Sequence, residues 1–174
     1  MAARTTSGIS FDLVTTASTS PTDGQGAQAP LGFTLMVPQA INDGVRTADA
    51  GDQEWIYVRN AEGATNFVAG TVVMRETGAT NYDTLVSSGA ISPARIVGVA
   101  QHTIAAGSFG FILRKGLGQV LCDGNVTADT AITPDANAGQ CTDVSAVTSD
   151  AFGVALATDS GAASLVTAAL DCQG

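Results

Sequence analysis

Short apolar runs, many of them alternating with polar residues, dominate this sequence, and turn residues separate them. Strand-like runs lie at residues 9–14, 31–37, 54–59, 67–75, 84–86, 94–104, 109–114, 118–122, 130–133, 144–147, 152–157 and 164–170. No segment shows a sustained apolar pattern at helical spacing, and residues 162–170 fit either a short helix or a last strand. The pattern predicts an all-β fold, with a single small β-barrel or β-sandwich domain of short antiparallel strands.

Glycines within the strand-like runs predict where the chain bends. Gly70 indicates a bulge or a tight bend between two short strands. Residues 109–114 and 118–122 are predicted to be two strands joined across residues 115–117, with a turn at residues 123–124.

One pattern occurs twice. Residues 96–113 and 151–167 each contain a strand with Gly-Val-Ala, a glycine turn at Gly107 or Gly161, and a returning strand. A β-hairpin used twice explains this pattern, and chance similarity of short words is the alternative.

The first part of the chain differs in amino-acid composition from the rest. Residues 15–30 are polar and rich in turn residues, so they cannot bury enough apolar surface to fold alone. We therefore predict an extended N-terminal arm at residues 1–38 and a barrel or sandwich domain at residues 39–174. Apolar residues flank the polar stretch and are predicted to contact a partner subunit; the alternative is an edge strand on the chain's own domain. These residues are Phe11, Leu13, Val14, Leu31, Phe33 and Leu35.

Composition and charge narrow the class of partner. Hydrophobic residues make up 45% of the 174 residues, but charged residues only 13%, so small hydroxyl and amide side chains must form much of the surface. The formal net charge is -9. Because phosphate binding needs clustered lysine and arginine, neither nucleic acid nor an anionic membrane is an expected partner. We also expect a chain without a signal peptide or a membrane span, made in a cytoplasm.

The sequence contains no pattern that predicts catalysis or a cofactor. Cys122, Cys141 and Cys172 have no Cys-x-x-Cys spacing and lie far in sequence from His102, so we interpret them as small buried hydrophobic residues, with at least one free thiol. No nucleophile elbow or phosphate loop is present. Residues 43–52 resemble a calcium loop only in part, without its terminal glutamate. We therefore predict neither enzymatic activity nor a bound metal, nucleotide or other cofactor.

Five short segments between residues 40 and 124 carry a resemblance to a known family. They are EWIYVRN (54–60), VAGTVV (68–73), IVGVAQ (96–101), IAAGSFGF (104–111) and GLGQV (116–120). With these segments, residues 40–124 resemble the small capsid decoration proteins, also called head-stabilising or cement proteins, and other structural virion proteins of tailed bacteriophages. The resemblance implies an all-β, barrel-like domain, frequently a homotrimer, which sits on the outer face of the capsid and clamps neighbouring major capsid protein subunits.

Two other functions stay open on the sequence. The first is a tail, head-fibre or other minor virion structural protein. The second is a carbohydrate-binding β-module, in which Trp55, Tyr57 and Tyr82 would form the platform for the sugar. Aromatic residues on a strand are more often part of the core, because each buried ring contributes on the order of 2 kcal/mol.

Overall fold

A computed structural model describes residues 2–4, 10–12, 29–38, 51–79, 81–89, 92–144 and 151–174. These residues contain no α-helix, only a short 3₁₀ helix at Pro93–Arg95, so the predicted all-β fold is confirmed. The strands are β1 (Ala2–Arg4), β2 (Ser10–Asp12), β3 (Thr34–Val37), β4 (Gln53–Asn60), β5 (Val72–Arg75), β6 (Asp83–Val86), β7 (Ile96–Val99), β8 (Phe109–Cys122), β9 (Asn125–Val126), β10 (Ala131–Pro134), β11 (Cys141–Val144), β12 (Gly153–Ala155), β13 (Asp159–Ser160) and β14 (Ser164–Asp171).

Ten of these strands form one sheet, which closes into two rings. The first ring runs β4-β6-β5-β7-β8 and returns to β4, and the second runs β8-β14-β12-β10-β11 and returns to β8. Of the two architectures that the sequence allowed, the structure therefore has the barrel. Each ring contains one parallel pair, β4 with β6 and β8 with β11, so the strands are not all antiparallel as predicted.

The two rings share the long strand β8. Its first half pairs with β4 and its second half with β14, and the two pairings meet at Lys115. The prediction of two strands joined across residues 115–117 is therefore wrong, because the chain continues as one 14-residue strand. Gly116 has a φ of 105°, a conformation that only glycine adopts readily, and it bends the strand where it passes between the rings.

The two rings also have the same topology. Counted in chain order, the strands of the first ring are β4, β5, β6, β7 and β8, and those of the second are β8, β10, β11, β12 and β14. In each ring the first strand of this order pairs antiparallel with the last strand and parallel with the third. The second strand pairs antiparallel with the third and with the fourth. Strand β8 is thus the last strand of the first ring and the first strand of the second.

Matching hydrogen bonds support this equivalence. Ala100 N donates to Thr71 O in the first ring, and Ala155 N donates to Thr130 O in the second, both at 2.9 Å. The isolated bridge between Phe67 and Ile104 corresponds to the small sheet of β9 and β13. The pattern that occurs twice in the sequence thus lies at equivalent places, where β7 is antiparallel to β8 and β12 to β14.

The close approach of a neighbouring strand explains why each Gly-Val-Ala motif begins with glycine. A Cβ atom on Gly98 would lie 2.6 Å from Leu113 O, and one on Gly153 would lie 2.6 Å from Ala169 O. Both distances are shorter than any real Cβ contact, so each strand can approach its neighbour this closely only where a side chain is missing.

The core lies on both faces of the first ring. Trp55 and Tyr57 of β4 face the larger hydrophobic cluster, which extends through the second ring, whereas Ile56 and Val58 face a smaller cluster with Phe67. All five side chains are completely buried. Burial of both faces explains why the central strands read as continuous apolar runs and do not alternate.

Candidate functional site

In the part of the chain that the structure describes, strand β3 is the open edge of the ten-stranded sheet. Each other strand of the ten-stranded sheet has at least two hydrogen-bonded neighbours, whereas β3, among the described residues, pairs only with β4. Its side chains alternate: Leu35 and Val37 are buried, while Thr34 and Met36 are exposed. Met36 is 59% exposed, the largest exposed fraction among the large hydrophobic side chains that the structure describes. An edge of this kind offers unpaired backbone groups beside an apolar side chain.

The structure places the six residues predicted to contact a partner in three different settings. Leu31 and Phe33 are partly buried and pack against the larger cluster, in which Leu35 is buried. Phe11 lies in β2, opposite Ala3 of β1. Leu13 and Val14 lie outside the described residues, as does most of the polar stretch at residues 15–30.

The segment at residues 29–37 therefore belongs to the chain's own sheet and core. Gly32 N donates to Tyr57 O at 2.8 Å and Tyr57 N donates to Phe33 O at 2.9 Å. Strand β3 is therefore an edge strand of the chain's own domain, which the sequence analysis gave as the alternative to contact with a partner subunit. Contact of these residues with a partner stays a prediction.

A cleft of about 520 Å³ gathers three of the seven basic residues of this acidic chain. Arg75, Arg95 and Arg114 line it, together with Tyr82 and Glu76. The three arginines come from β5, the 3₁₀ helix and β8, and lie about twenty positions apart along the chain. Nothing in the sequence indicated that they meet, because the pairing of β5 with β7, and of β7 with β8, brings them together.

Hydrogen bonds and ring stacking hold two of these guanidinium groups in place. Arg95 Nη2 donates to Arg75 O and to Thr77 Oγ1, each at 2.8 Å. The guanidinium of Arg75 lies 4.4 Å from the centroid of the Tyr82 ring, a cation–π contact. Arg75 Nε is buried and finds no hydrogen-bond partner among the described residues.

Only one of the three guanidinium groups is neutralised by a carboxylate within the described part of the chain. Arg114 Nη1 pairs with Glu54 Oε1 at 3.0 Å, and Glu54 lies opposite Met36 in the register of β4 with β3. The carboxylate of Glu76 also lines the cleft, beside the other two guanidinium groups.

The structure contradicts the carbohydrate platform. Trp55 and Tyr57 have no exposed surface, and Trp55 Nε1 donates to Gln53 Oε1 at 3.2 Å inside the core. Tyr82 is partly buried beneath Arg75. Because a sugar must stack on an exposed ring face, these three residues do not form a platform.

The remaining residues considered for chemistry do not form a metal-binding group in the described ranges. His102 Nδ1 lies 3.1 Å from Thr103 O and Nε2 lies 3.1 Å from Phe111 O. No three His, Cys, Asp or Glu side chains converge as metal ligands in the part of the chain that the structure describes. Of the calcium-like stretch, residues 43–50 lie outside the described residues.

All three cysteines are buried, as the sequence predicted. Burial raises the pKa of the Cys172 thiol. The pKa of the Cys141 thiol is also raised, first by its hydrogen bond with Cys122 and then by burial. In the folded chain both thiols therefore stay protonated, and a protonated thiol reacts only when the chain opens and the thiolate can form.

The fold and the site together define an all-β protein whose ten-stranded sheet, within the described residues, forms two linked rings and leaves β3 as its open edge. No protein-family model matches the chain, and no curated protein matches its sequence. Among solved structures, the chain is similar to the head fiber gp8.5 N base of bacteriophage phi29, with a TM-score of 0.49 and 17% sequence identity. That likeness covers 67% of this chain and 92% of the phage chain. No helix of the described residues is long and apolar enough to cross a membrane.

Proposed function

We propose that this chain is a structural virion protein that binds the outer surface of a phage capsid and stabilises contacts between major capsid protein subunits. The open edge of β3 carries the proposal, because the rest of the sheet closes on itself. A strand from a capsid subunit can pair with β3 and satisfy its unpaired backbone groups. Met36 then packs against the added strand.

The sequence resemblance, the barrel and the charge of the chain also support the proposal. The sequence resembles phage decoration proteins over residues 40–124, and the described residues have the all-β barrel that this resemblance implies. The surface carries few charges, and the net charge is negative, so binding to a protein lattice is favoured over binding to nucleic acid or membrane. In this proposal the chain is not an enzyme, is made in the bacterial host cytoplasm and joins the capsid as a homotrimer.

A charge placed on the edge strand tests the contact. Met36→Lys puts a cation where the added strand would bury an apolar side chain, and lysine on an edge blocks strand addition. We expect at least a tenfold loss of binding when the protein is co-sedimented with purified capsids that lack it. Leu156→Lys is the matched control, because Leu156 is also an exposed large hydrophobic residue, at 44%. Equal binding of wild type and Met36→Lys would contradict the role of β3.

Removal of the N-terminal residues tests the predicted arm separately. Ala29 belongs to the larger cluster, so a chain that begins at Ala29 keeps the described core and β3. We expect this truncated chain to melt at nearly the wild-type temperature but to bind capsids more weakly. If it binds with full affinity, residues 1–28 take no part in attachment. If it does not fold, those residues belong to the core.

The number of copies in purified particles tests the function as a whole. An abundance near that of the major capsid protein supports decoration, whereas a few copies would identify a tail, head-fibre or other minor virion protein. Absence of the chain from particles of the phage that encodes it would overturn the virion assignment. Quantitative mass spectrometry of gradient-purified virions gives this number.

A further inference from the structure

Each ring contains one parallel strand pair, β4 with β6 in the first ring and β8 with β11 in the second, and we call each of these pairs a seam. The two seams differ in the number of paired residues. In the first ring, Arg59 lies opposite Asp83 and Asn60 opposite Thr84. Thr84 Oγ1 also donates to Arg59 O at 2.7 Å, and an ion pair joins Arg59 to Asp83 at 3.7 Å. The second seam has one residue pair, Cys122 opposite Cys141.

The side chains at the second seam are two thiols in contact. Cys122 Sγ lies 2.6 Å from Cys141 Sγ, and neither residue has exposed surface. The backbone pair is held by Asp123 N, which donates to Cys141 O at 2.9 Å. Neighbouring strands lie about 4.7–4.9 Å apart, which falls within the range of about 4.4–6.8 Å between the Cα atoms of disulfide-bonded cysteines.

We propose that Cys122 and Cys141 are a cross-linking site, and that a disulfide between them closes the second ring covalently. Equivalence of the rings supports this, because Cys122 and Cys141 occupy the places of Asn60 and Thr84 in the first seam. In the first seam, the Arg59–Asp83 ion pair and the Thr84 hydroxyl link the two strands through their side chains. In the second seam, the disulfide would be the side-chain link between the two strands. Cys172 is buried elsewhere and stays a free thiol.

A small-molecule disulfide such as oxidised glutathione serves as the oxidant. One cysteine thiolate attacks a glutathione sulfur, forms a mixed disulfide and releases the first glutathione thiolate. The second cysteine thiolate then attacks the protein-bound sulfur of that mixed disulfide and releases the second glutathione thiolate. The two protons from the protein thiols end on the two glutathione molecules, so two thiols are oxidised and one glutathione disulfide is reduced.

The compartment determines when the cross-link forms. A reducing cytoplasm keeps both thiols reduced, and an oxidising medium outside the cell favours the disulfide. Both sulfur atoms are buried, so the oxidant reaches them during folding or through transient opening of the seam. The cross-link does not depend on the proposed function, because it follows from the seam alone.

The test refolds the reduced full-length chain from urea in a buffer of reduced and oxidised glutathione, which lets the thiols reach equilibrium. Free thiols are then counted in denaturant, and peptide mapping locates the bond. We expect the count to fall from three to one per chain, with residues 122 and 141 in one cross-linked peptide pair. The cross-linked chain is expected to melt roughly 6–12 °C above the reduced chain.

Two variants sharpen the result. Cys172→Ala should still form the cross-link and gain the same increase in melting temperature, since Cys172 takes no part. Cys122→Ser should show neither a cross-link nor an increase. A count of three thiols after refolding, a bond to Cys172, or a cross-linked chain no more stable than the reduced one would each overturn the proposal.

Discussion

Replacement of Gly116 by alanine tests the bend that joins the two rings. The residue has a φ of 105°, and its backbone lies against β4. An added Cβ would lie 2.7 Å from Asp52 O and 3.2 Å from Gln53 Cα. Because both contacts are with backbone atoms, rotation of a side chain cannot relieve them.

Two contributions set the expected magnitude. An L-residue held at this φ costs about 1–3 kcal/mol. Forcing a methyl group against the neighbouring strand costs about 1–3 kcal/mol more, because the strand must shift. We therefore expect Gly116→Ala to lose roughly 2–6 kcal/mol of unfolding free energy, measured by urea denaturation followed by circular dichroism.

Gly161→Ala separates the two contributions. Gly161 has a similar φ of 113°, but a Cβ there would meet nothing within 4 Å. Only the backbone cost of about 1–3 kcal/mol applies to this control. If Gly116→Ala is no more destabilising than Gly161→Ala, the backbone of β8 does not lie as close to residues 52 and 53 as the structure shows.

Three further predictions concern the buried interior. Trp55, the one tryptophan of the chain, has no exposed surface, so its fluorescence should be blue-shifted and protected from acrylamide; quenching like that of free tryptophan would contradict the core. Asn60→Ala should cost about 2–4 kcal/mol in urea denaturation, because the Asn60 amide donates to Thr65 O at 2.9 Å and to Ile104 O at 3.0 Å. Because the pKa values of the Cys141 and Cys172 thiols are raised in the folded protein, the reduced unfolded chain releases those protons first as the pH rises past 9.0. Unfolding free energy should therefore fall above that pH by about 1.4 kcal/mol per pH unit for each thiol, and Cys172→Ala should halve the slope; a flat profile would refute this.

The sequence by itself determined the fold class and several bends. Frequent turn residues and the absence of helical periodicity indicate strands, and these depend only on residues close together in the chain. Gly70, predicted as a bend, has a φ of 87° just before β5. The pattern that occurs twice, with turns at Gly107 and Gly161, indicated an equivalence that the structure extends to two complete rings.

Only the tertiary structure decided how those strands are joined. Glycine at positive φ fits both a hairpin turn and a bend within one strand, so Gly116 could not show which of the two it makes. Pairing with β4 on one half of β8 and with β14 on the other half settles the choice in favour of a bend. Both partners are distant in sequence, and local patterns carry no information about them.

The same reason explains the residues that sequence reasoning missed. Arg75, Arg95 and Arg114 share a cleft only because three strands are paired across the first ring. Cys122 and Cys141 are 19 positions apart and meet because the last pairing of the second ring places them opposite each other. Residue types and spacing determine which segments can be strands, whereas ring closure determines which side chains become neighbours.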